Sequence, residues 1–204
     1  MAEHSRYSVS QKKAEITSSG ILANKMGITK QKDLDEAEAL LLSDSYTHFF
    51  DLLQNNKLNL EDSLIFGIHK YFLAPLYTWA GEIRTVDISK NNFLFAPVKH
   101  LQSTLSEFEK ELPKNIPKPS DTKKQIAQKL AWIHTEFNFI HPFREGNGRT
   151  IRLFLDLLAI QCGYELINYN TSTQKEYINA CIAGMSKNYS HMEKVMRKGL
   201  KRRK

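Results

Sequence analysis

The chain has 204 residues, of which 41% are hydrophobic and 25% charged, and its formal net charge is +7. These values are ordinary for a soluble globular protein, and a chain of this length can bury a substantial core. No apolar run is long enough to span a bilayer and no signal peptide is visible, so we expect no membrane association.

The positive charge is concentrated near the C-terminus, where five of the last seven residues are basic: Lys198, Lys201, Arg202, Arg203 and Lys204. Such a run can attract nucleic acid or an anionic surface. It can also be a solvated helix end whose cations complement the helix dipole. No aromatic residues alternate with these charges, as they do in single-strand binders, so we favour the second interpretation and expect no nucleic-acid partner.

The two cysteines, Cys162 and Cys181, lie in apolar helical surroundings and form no Cys-x-x-Cys pair. Both are predicted to be unreactive core thiols. This pattern indicates a reducing compartment, and we expect the protein to be cytoplasmic.

The first 28 residues are polar and irregular and are predicted to form an N-terminal arm. From Thr29 the apolar residues recur at helical spacing as far as Leu53, and Asn55-Asn56 ends this helix. Asn59 and Asp62 can cap a second helix. The apolar face of that helix is predicted to carry Leu64, Ile65, Ile68 and Phe72.

Residues 77–97 break the helical pattern. Alternating residues from Ile83 to Ile88, a polar turn at 89–92 and the apolar run Phe93-Leu94-Phe95 predict a short β-hairpin. Because an isolated two-stranded hairpin is marginally stable in water, it must lie on the helical body. We expect its outer edge to offer unpaired backbone groups to an extended segment of another protein.

The remainder of the chain is predicted to be helical. A helix starts at Pro97, a proline-rich connector covers 113–119, and an apolar stripe from Ile126 to Ile140 marks the next helix. Residues 151–160 are nearly apolar all round, as expected of a central helix. The fold class is therefore all-α with one small β-hairpin. Two final helices are predicted to begin at capping boxes, Thr173 with Glu176 and Ser190 with Glu193.

The turn between the two core helices has the sequence HPFREGNGRTIR, residues 141–152. The first N–H groups of the second helix are unpaired and carry partial positive charge, so this turn is predicted to bind an anion. Gly146 and Gly148 can adopt backbone angles that other residues avoid. Their N–H groups can therefore line a concavity of the size of a phosphate.

The side chains of this turn are those expected of a nucleotide site. Arg149 and Arg152, three residues apart on a helix, share a face, and each guanidinium can bind phosphate oxygens through two hydrogen bonds. Asn147 adds an amide. Glu145 is a carboxylate suited to Mg2+ that is also held by phosphates. His141 can accept a proton near neutral pH.

Other interpretations of these residues fit less well. A dinucleotide-binding loop needs a third glycine and a preceding strand, and no P-loop sequence occurs in the chain. His134 and His141 could share a zinc ion, but no third ligand has suitable spacing. We interpret His69 as a structural or surface histidine. A purely structural turn and a catalytically silent phosphate-binding module stay open as alternatives.

Residues 141–152 resemble the HPFx(D/E)GNGRxxR signature of Fic-domain proteins. Three further segments are similar to small bacterial members of that family: Asn24–Ile28, Tyr77–Arg84 and Phe93–Pro97. The resemblance implies the Fic fold, a helical bundle around a central motif helix with one small β-hairpin flap. It divides the chain into an N-terminal arm (1–28), a Fic domain (29–187) and a basic C-terminal helix or tail (188–204).

The resemblance also implies an activity, protein adenylyl transfer, in which AMP passes from ATP to a Ser, Thr or Tyr hydroxyl of a target protein. His141 would be the general base and Glu145 the Mg2+ ligand. The phosphate-binding residues would be Gly146, Asn147, Gly148, Arg149 and Arg152. Relatives that have lysine at the position of Gly148 transfer a different phosphate. The flap residues Ile88, Ser89, Lys90 and Asn91 would dock the target.

Regulation and partners follow from the same resemblance. Many Fic proteins carry an inhibitory (S/T)xxxE(G/N) helix, which this sequence lacks, so we expect a separate small antitoxin that docks near Arg152. No secretion module is obvious, which favours a cytoplasmic target such as a type II topoisomerase subunit. The alternative function is a catalytically silent nucleotide-binding module, or a transferase of another nucleotide-derived group.

Overall fold

A computed structural model describes residues 8–9, 21–90 and 93–204. The described part is mainly helical and carries one small antiparallel sheet, as predicted. In chain order its elements are β1 (Ser8–Val9), α1 (Gln31–Gln54), α2 (Asp62–Leu73), β2 (Ile88–Lys90), β3 (Phe93–Leu94), α3 (Val98–Asn115), α4 (Lys123–Ile140), α5 (Asn147–Gln161), α6 (Gln174–Gly184) and α7 (Ser190–Gly199).

Helix α5 lies at the centre of the bundle, which confirms the prediction for residues 151–160. It packs against α1, α2 and α4. Because its residues 153–159 are all buried, almost every face of the helix contacts another element. Burial of this kind stabilises a helix far more than its intrinsic propensity does. The first turn of α5, which carries the polar motif, is therefore held by the core of the protein.

Helix α7 packs into the same core. Its apolar side chains Met192, Val195 and Met196 are buried with those of α4 and α5, and Leu200 follows them. Helix α7 therefore packs with the rest of the bundle, and the boundary that we draw at residue 188 stays a prediction. The basic residues around this helix led to that boundary, but they occupy its exposed face only.

The hairpin is present, with β3 within the predicted run 93–95, but its first strand ends two residues later than predicted. Strand β2 starts at Ile88 and includes Ser89 and Lys90, which we had placed in the turn, and it pairs with β3 in the register Ser89 to Leu94 and Lys90 to Phe93. The alternation from Ile83 to Asp87 misled the prediction, because that segment turns inward to bury Arg84 and Val86. Asn91 and Asn92 lie outside the described residues.

One edge of the hairpin, that of β2, is covered. Strand β1 pairs with β2 in an antiparallel register, Ser8 opposite Ser89 and Val9 opposite Ile88, and the sheet order is β1-β2-β3. The expectation of unpaired backbone groups is therefore wrong for the β2 edge at these positions, and it stays a prediction for the edge of β3. Strand β1 of the same chain thus pairs with the backbone N–H and C=O groups of β2 that a strand of another protein would otherwise bind.

Two of the three capping signals that we read from the sequence were wrong. The box of Thr173 with Glu176 caps α6 as predicted. In contrast, Ser190 is the first residue of α7 and bonds to Asn188, and the N-terminus of α2 has no side-chain cap. No helix in the described part of the chain is long and apolar enough to cross a membrane.

Candidate active site

The motif forms a buried turn between α4 and α5, as predicted. His141 ends α4 with φ of 50°, in the left-handed region, and Gly146 precedes α5 with φ of 80°. Residues 141–147 are all buried. Because a left-handed residue stands at each end, the chain reverses direction within a few residues. The backbone N–H groups of the first turn of α5 directly follow this reversal.

The imidazole of His141 is held in one tautomer. Its Nδ1 lies 3.1 Å from the carbonyl oxygen of Asn138. Because a carbonyl can only accept, Nδ1 carries the hydrogen and Nε2 carries the basic lone pair. The ring stacks on Phe95, with 3.8 Å between ring centroids, and His141 is only 4% exposed. Burial lowers the pKa of His141 to about 3, against the opposing effect of the bond to Asn138, so the imidazole is neutral at pH 7.

Arg149 bridges two acidic side chains. Its guanidinium forms an ion pair with Glu38 of α1 and lies 3.6 Å from Glu145 Oε1. The other oxygen of Glu38 accepts a hydrogen bond from the hydroxyl of Tyr77 at 2.7 Å. Phe72 lies under the guanidinium, 5.0 Å from its carbon to the ring centroid. No local pattern pointed to Glu38, since 111 residues separate it from Arg149.

Arg152 lies in different surroundings from Arg149, although the two residues are one turn apart. Its guanidinium carbon is 6.0 Å from the ring centroid of Tyr169, and its charge lowers the pKa of Asp156 against the larger effect of burial. Each arginine thus contacts its own set of residues, and their joint binding of phosphates stays a prediction.

Asn147 braces the turn from within. Its amide oxygen accepts the N–H of Phe143 at 2.9 Å, and its amide nitrogen donates to the carbonyl of the same residue at 2.8 Å. The residue is 1% exposed. The Asn147 side chain thus closes the loop that precedes α5, and the phosphate contact that we assign to it stays a prediction.

Gly146 and Gly148 differ in how strongly their surroundings require a glycine. At Gly146 a Cβ would lie 2.7 Å from Leu73 Cδ1, and its φ is positive, so both space and backbone conformation favour glycine. Gly148 lies inside the first turn of α5, and a Cβ there would meet no atom within 4 Å. The prediction that Gly148 needs an unusual backbone angle was therefore wrong.

His69 of α2 packs against the motif turn and is hydrogen-bonded to it. Its Nδ1 accepts the N–H of Gly81 at 2.8 Å, and its Nε2 lies 2.9 Å from the carbonyl oxygen of Glu145, to which it donates. The ring stacks on Phe143 with 3.7 Å between centroids. Burial lowers the pKa of His69 to about 4 and keeps it neutral. The structural interpretation of this histidine is confirmed, with a specific role in holding the loop.

Arg84 is a second support that sequence reasoning missed. Its guanidinium is fully buried and donates to four backbone carbonyls. The backbone N–H of Arg84 also donates, to the carbonyl of Pro142 at 2.8 Å. The only sequence signal was its place at the end of a segment that resembles the Fic family. The four acceptors are the carbonyls of Val86, Ala96, Ile140 and His141.

The predicted flap residues lie beside His141. Ile88 is buried under the sheet, while Ser89 and Lys90 are half-buried. The charge of Lys90 lies close enough to lower the pKa of His141 further. Asn91, the fourth predicted flap residue, lies outside the described residues.

A zinc site at His134 and His141 is not supported. His134 points its Nε2 to the hydroxyl of Tyr177 at 2.8 Å. Within 21–90 and 93–204, no three His, Cys, Asp or Glu side chains converge as a metal-binding group would. Glu145 is a single carboxylate beside the amides of α5, which is the donor set that Mg2+ uses when phosphates supply further oxygens.

Comparison with known proteins identifies the fold and the family. A sequence model of the Fic/DOC family matches residues 59–159. The probable protein adenylyltransferase y4lH of Sinorhizobium fredii is 30% identical over 170 residues, which cover 81% of this chain and 84% of that protein. The chain belongs to the Fic/DOC family.

A second Fic relative is longer. The protein adenylyltransferase VbhT of Bartonella schoenbuchensis is 30% identical over 184 residues, which are 89% of this chain and 37% of that protein. The chain thus spans little more than a third of VbhT. The remaining part of VbhT lies outside the match, so any contribution that it makes to the activity of VbhT has no counterpart in the matched residues.

Solved Fic structures share the fold at low identity. The N-terminal Fic domain of a Bartonella effector protein from Bartonella sp. AR 15-3 has a TM-score of 0.76 at 20% identity and covers 92% of this chain and 91% of its own. BepC from Bartonella tribocorum, solved with bound AMPPNP, has a TM-score of 0.73 at 20% identity, with 94% and 98% of the two chains covered. These matches confirm the all-α Fic fold.

Proposed function

We propose that this Fic protein is an adenylyltransferase, which transfers AMP from ATP to a Ser, Thr or Tyr hydroxyl of a target protein. The observation that carries the proposal is the imidazole of His141, whose Nδ1 donates to the carbonyl of Asn138 and thereby leaves Nε2 as the basic nitrogen, in the turn that precedes α5. The curated relatives are named protein adenylyltransferases, which supports the same assignment.

In the proposed reaction, Nε2 of His141 takes the proton of the target hydroxyl. The hydroxyl oxygen forms a bond to the α-phosphorus of ATP, the bond from that phosphorus to the bridging oxygen breaks, and pyrophosphate leaves. A positioned base commonly contributes a factor of roughly 10² to 10⁴ in rate. The remaining acceleration must come from groups that stabilise the developing negative charge.

The charge-stabilising groups are proposed to be those at the start of α5. The N–H of Gly148 would face the α-phosphate. The N–H of Gly146 and the amide of Asn147 would do so after exchanging their present partners, Glu145 and Phe143. Arg149 and Arg152 would bind the β- and γ-phosphates, and Arg149 must then exchange its contact with Glu38 for a phosphate. Because Gly148 adds no side chain to this turn, a phosphate can approach the backbone closely there.

Glu145 is proposed to hold Mg2+ together with the phosphates. Its carboxylate is mostly buried and lies between the N–H of Gly146 and the guanidinium of Arg149. When bound, the ion neutralises charge on the leaving pyrophosphate.

We keep the remaining partners as proposals from the family resemblance. The target is a protein of the same compartment, with a type II topoisomerase subunit as the first candidate, and a small antitoxin is proposed to dock near Arg152. A cytoplasmic location is proposed from the sequence, in which the two cysteines form no Cys-x-x-Cys pair. Co-expression with the neighbouring small open reading frame tests the antitoxin, since an unchanged activity rejects it.

The decisive test of the function is transfer of label from ATP. Purified protein is incubated with α-labelled ATP, magnesium and a bacterial lysate, and labelled proteins are read on a gel. We expect labelled target bands with the wild type and none with His141→Ala, while both bind ATP equally by calorimetry. Equal labelling by His141→Ala removes this residue from the mechanism, and ATP binding without any transfer favours the silent module.

A further inference from the structure

Arg84 connects the hairpin to the motif turn. Its Nη1 donates to Val86, on the chain that leads into the hairpin, and its Nη2 donates to Ala96, on the chain that leaves it. Its Nε donates to the carbonyl of His141 at 2.8 Å, and Nη2 also reaches the carbonyl of Ile140 at 3.3 Å. One side chain therefore binds both legs of the hairpin and the end of α4.

Only a guanidinium can make this set of contacts. Arginine offers five N–H donors in a rigid planar fork, whereas lysine offers three donors on one nitrogen. The side chain is fully buried, and its nearest carboxylate, that of Asp87, lies 4.0 Å away. Hydrogen bonds to backbone carbonyls therefore offset most of the free-energy cost of burying this charge. Burial lowers the pKa of Arg84 to about 10, so the group remains charged at pH 7.

The two regions that Arg84 connects also touch each other directly. The ring of Phe95, between the hairpin and Ala96, stacks on the imidazole of His141, and the N–H of Ala96 donates to the carbonyl of Phe139 at 3.2 Å. The hairpin base and the imidazole are thus held in one arrangement by a stacking contact and by hydrogen bonds that converge on Arg84.

We propose that Arg84 is a positioning residue, which fixes the distance between the hairpin edge and the imidazole of His141. This proposal rests on the proposed function, in which His141 activates the target hydroxyl, and on the expectation from the family resemblance that the hairpin docks the target segment. Because a displacement of about 1 Å between reacting groups can cost 10²-fold in rate, a loose hairpin base lowers turnover without changing the phosphate site.

The first experiment measures the coupling without using activity. In Arg84→Lys the charge stays, but one ammonium cannot bind both hairpin legs and the end of α4. We expect amide hydrogen exchange to become about tenfold faster in residues 86–96 and in residues 138–143 together, since hydrogen bonds from a charged donor are lost. Unchanged exchange in both segments, or faster exchange in only one of them, overturns the proposal.

A matched control separates coupling from general loss of stability. Thr173→Ala removes the capping box of α6, which shares no residue with the contacts of Arg84. A lowered Tm in Thr173→Ala is expected to leave the relative protection of residues 86–96 and 138–143 unchanged. If this control loosens the two segments as much as Arg84→Lys does, Arg84 has no positioning role.

The second experiment measures kinetics on a labelled target band. We expect the kcat of Arg84→Lys to fall about 10²-fold, while the KM for ATP changes less than about twofold, because Arg84 contacts none of the predicted phosphate-binding residues. A kcat within about twofold of the wild type overturns the proposal. Absence of any labelling by the wild type, with the exchange result as expected, rejects the proposed function and leaves the coupling in place.

Discussion

The two motif glycines show how residues of one type can be needed for different reasons. Gly146 has a positive φ and no room for a Cβ, whereas Gly148 is helical and faces open space. Gly146→Ala is therefore expected to destabilise the fold by about 1–3 kcal/mol, and Gly148→Ala to leave it unchanged or slightly more stable. Thermal unfolding of both variants tests this, and an equal loss of Tm in the two contradicts it.

Gly148→Ala also reports on the nucleotide. If a phosphate approaches the backbone at this position, the added methyl group weakens ATP binding while the Tm is maintained. Calorimetric titration with ATP measures this directly, with a surface substitution such as Lys110→Ala as the control.

Glu38 gives a second prediction for a single residue. Its carboxylate occupies Arg149, which the proposed function requires for a phosphate. In Glu38→Gln we expect tighter binding of ATP, by several-fold, because the competing anion is removed. We also expect a loss of about 1–3 kcal/mol in stability, because Tyr77 and Arg149 lose a charged partner in a mostly buried site. Weaker ATP binding shows instead that Glu38 orients Arg149 for the phosphate.

The sequence pointed to the candidate reactive residues more readily than to the residues that support them. The imidazole, the carboxylate and the arginines are next to one another in the chain, so their chemistry is visible in twelve letters. The supports come from elsewhere: His69 is 76 residues from Glu145, and Arg84 is 57 residues from His141. Contacts over such separations depend on the tertiary fold, which no local pattern encodes.

Among the elements, α7 shows how a charged exterior can hide a core helix. Met192 is fully buried, whereas Lys198 lies on the surface in an ion pair with Glu176. Met192→Ala is expected to cost about 2–5 kcal/mol of stability through lost burial and the cavity left behind. Lys198→Ala is expected to cost less than about 1 kcal/mol, since exposed ion pairs contribute little. Denaturant unfolding distinguishes the two, and similar costs contradict the assignment of α7 to the core.

The pairing of β1 with β2 leads to a prediction for the N-terminal arm. A target strand that docks on the β2 edge must first displace Ser8 and Val9. Replacing both with proline removes their N–H groups and is expected to raise labelling of lysate proteins and to speed amide exchange in β2. The matched control, threonine at both positions, keeps the N–H groups. Unchanged exchange in β2 contradicts the prediction.

At the level of elements, helices were easier to predict than the hairpin. A helix of 15 or more residues repeats its apolar pattern several times, as α4 and α5 do. Strands of two or three residues give too few alternations to fix a register, and buried Arg84 interrupted the pattern just before β2. The pairing partner β1 lies in a polar arm that has no strand pattern of its own.

The stability of the whole molecule is predicted to depend on pH. Burial lowers the pKa of His69 to about 4 and those of His134 and His141 to about 3, whereas it raises that of Asp156 to about 6. Near pH 5 the unfolded chain binds protons on all three histidines, and the folded chain binds one on Asp156. Unfolding therefore takes up about two protons there, and stability falls by about 3 kcal/mol for each pH unit of acidification.

Urea unfolding at pH 5, 6 and 7 measures this dependence. The loss begins below the usual histidine pKa of about 6.5 and continues toward pH 4. His134→Gln takes one buried histidine away, so its stability is expected to depend less steeply on pH than that of the wild type. A stability that is constant between pH 7 and pH 5 contradicts the burial of neutral histidines.

The C-terminal residues determine where a fused tag would leave the protein. Arg203 donates its N–H to Gly163, just beyond the end of α5, and Arg202 pairs with Tyr164. Helix α5 has 15 residues and is therefore about 22 Å long, and the motif is at its other end. A fluorophore or immobilisation handle attached after Lys204 thus emerges far from the catalytic turn. Surface-tethered binding measurements with ATP can use that end without obstructing the nucleotide.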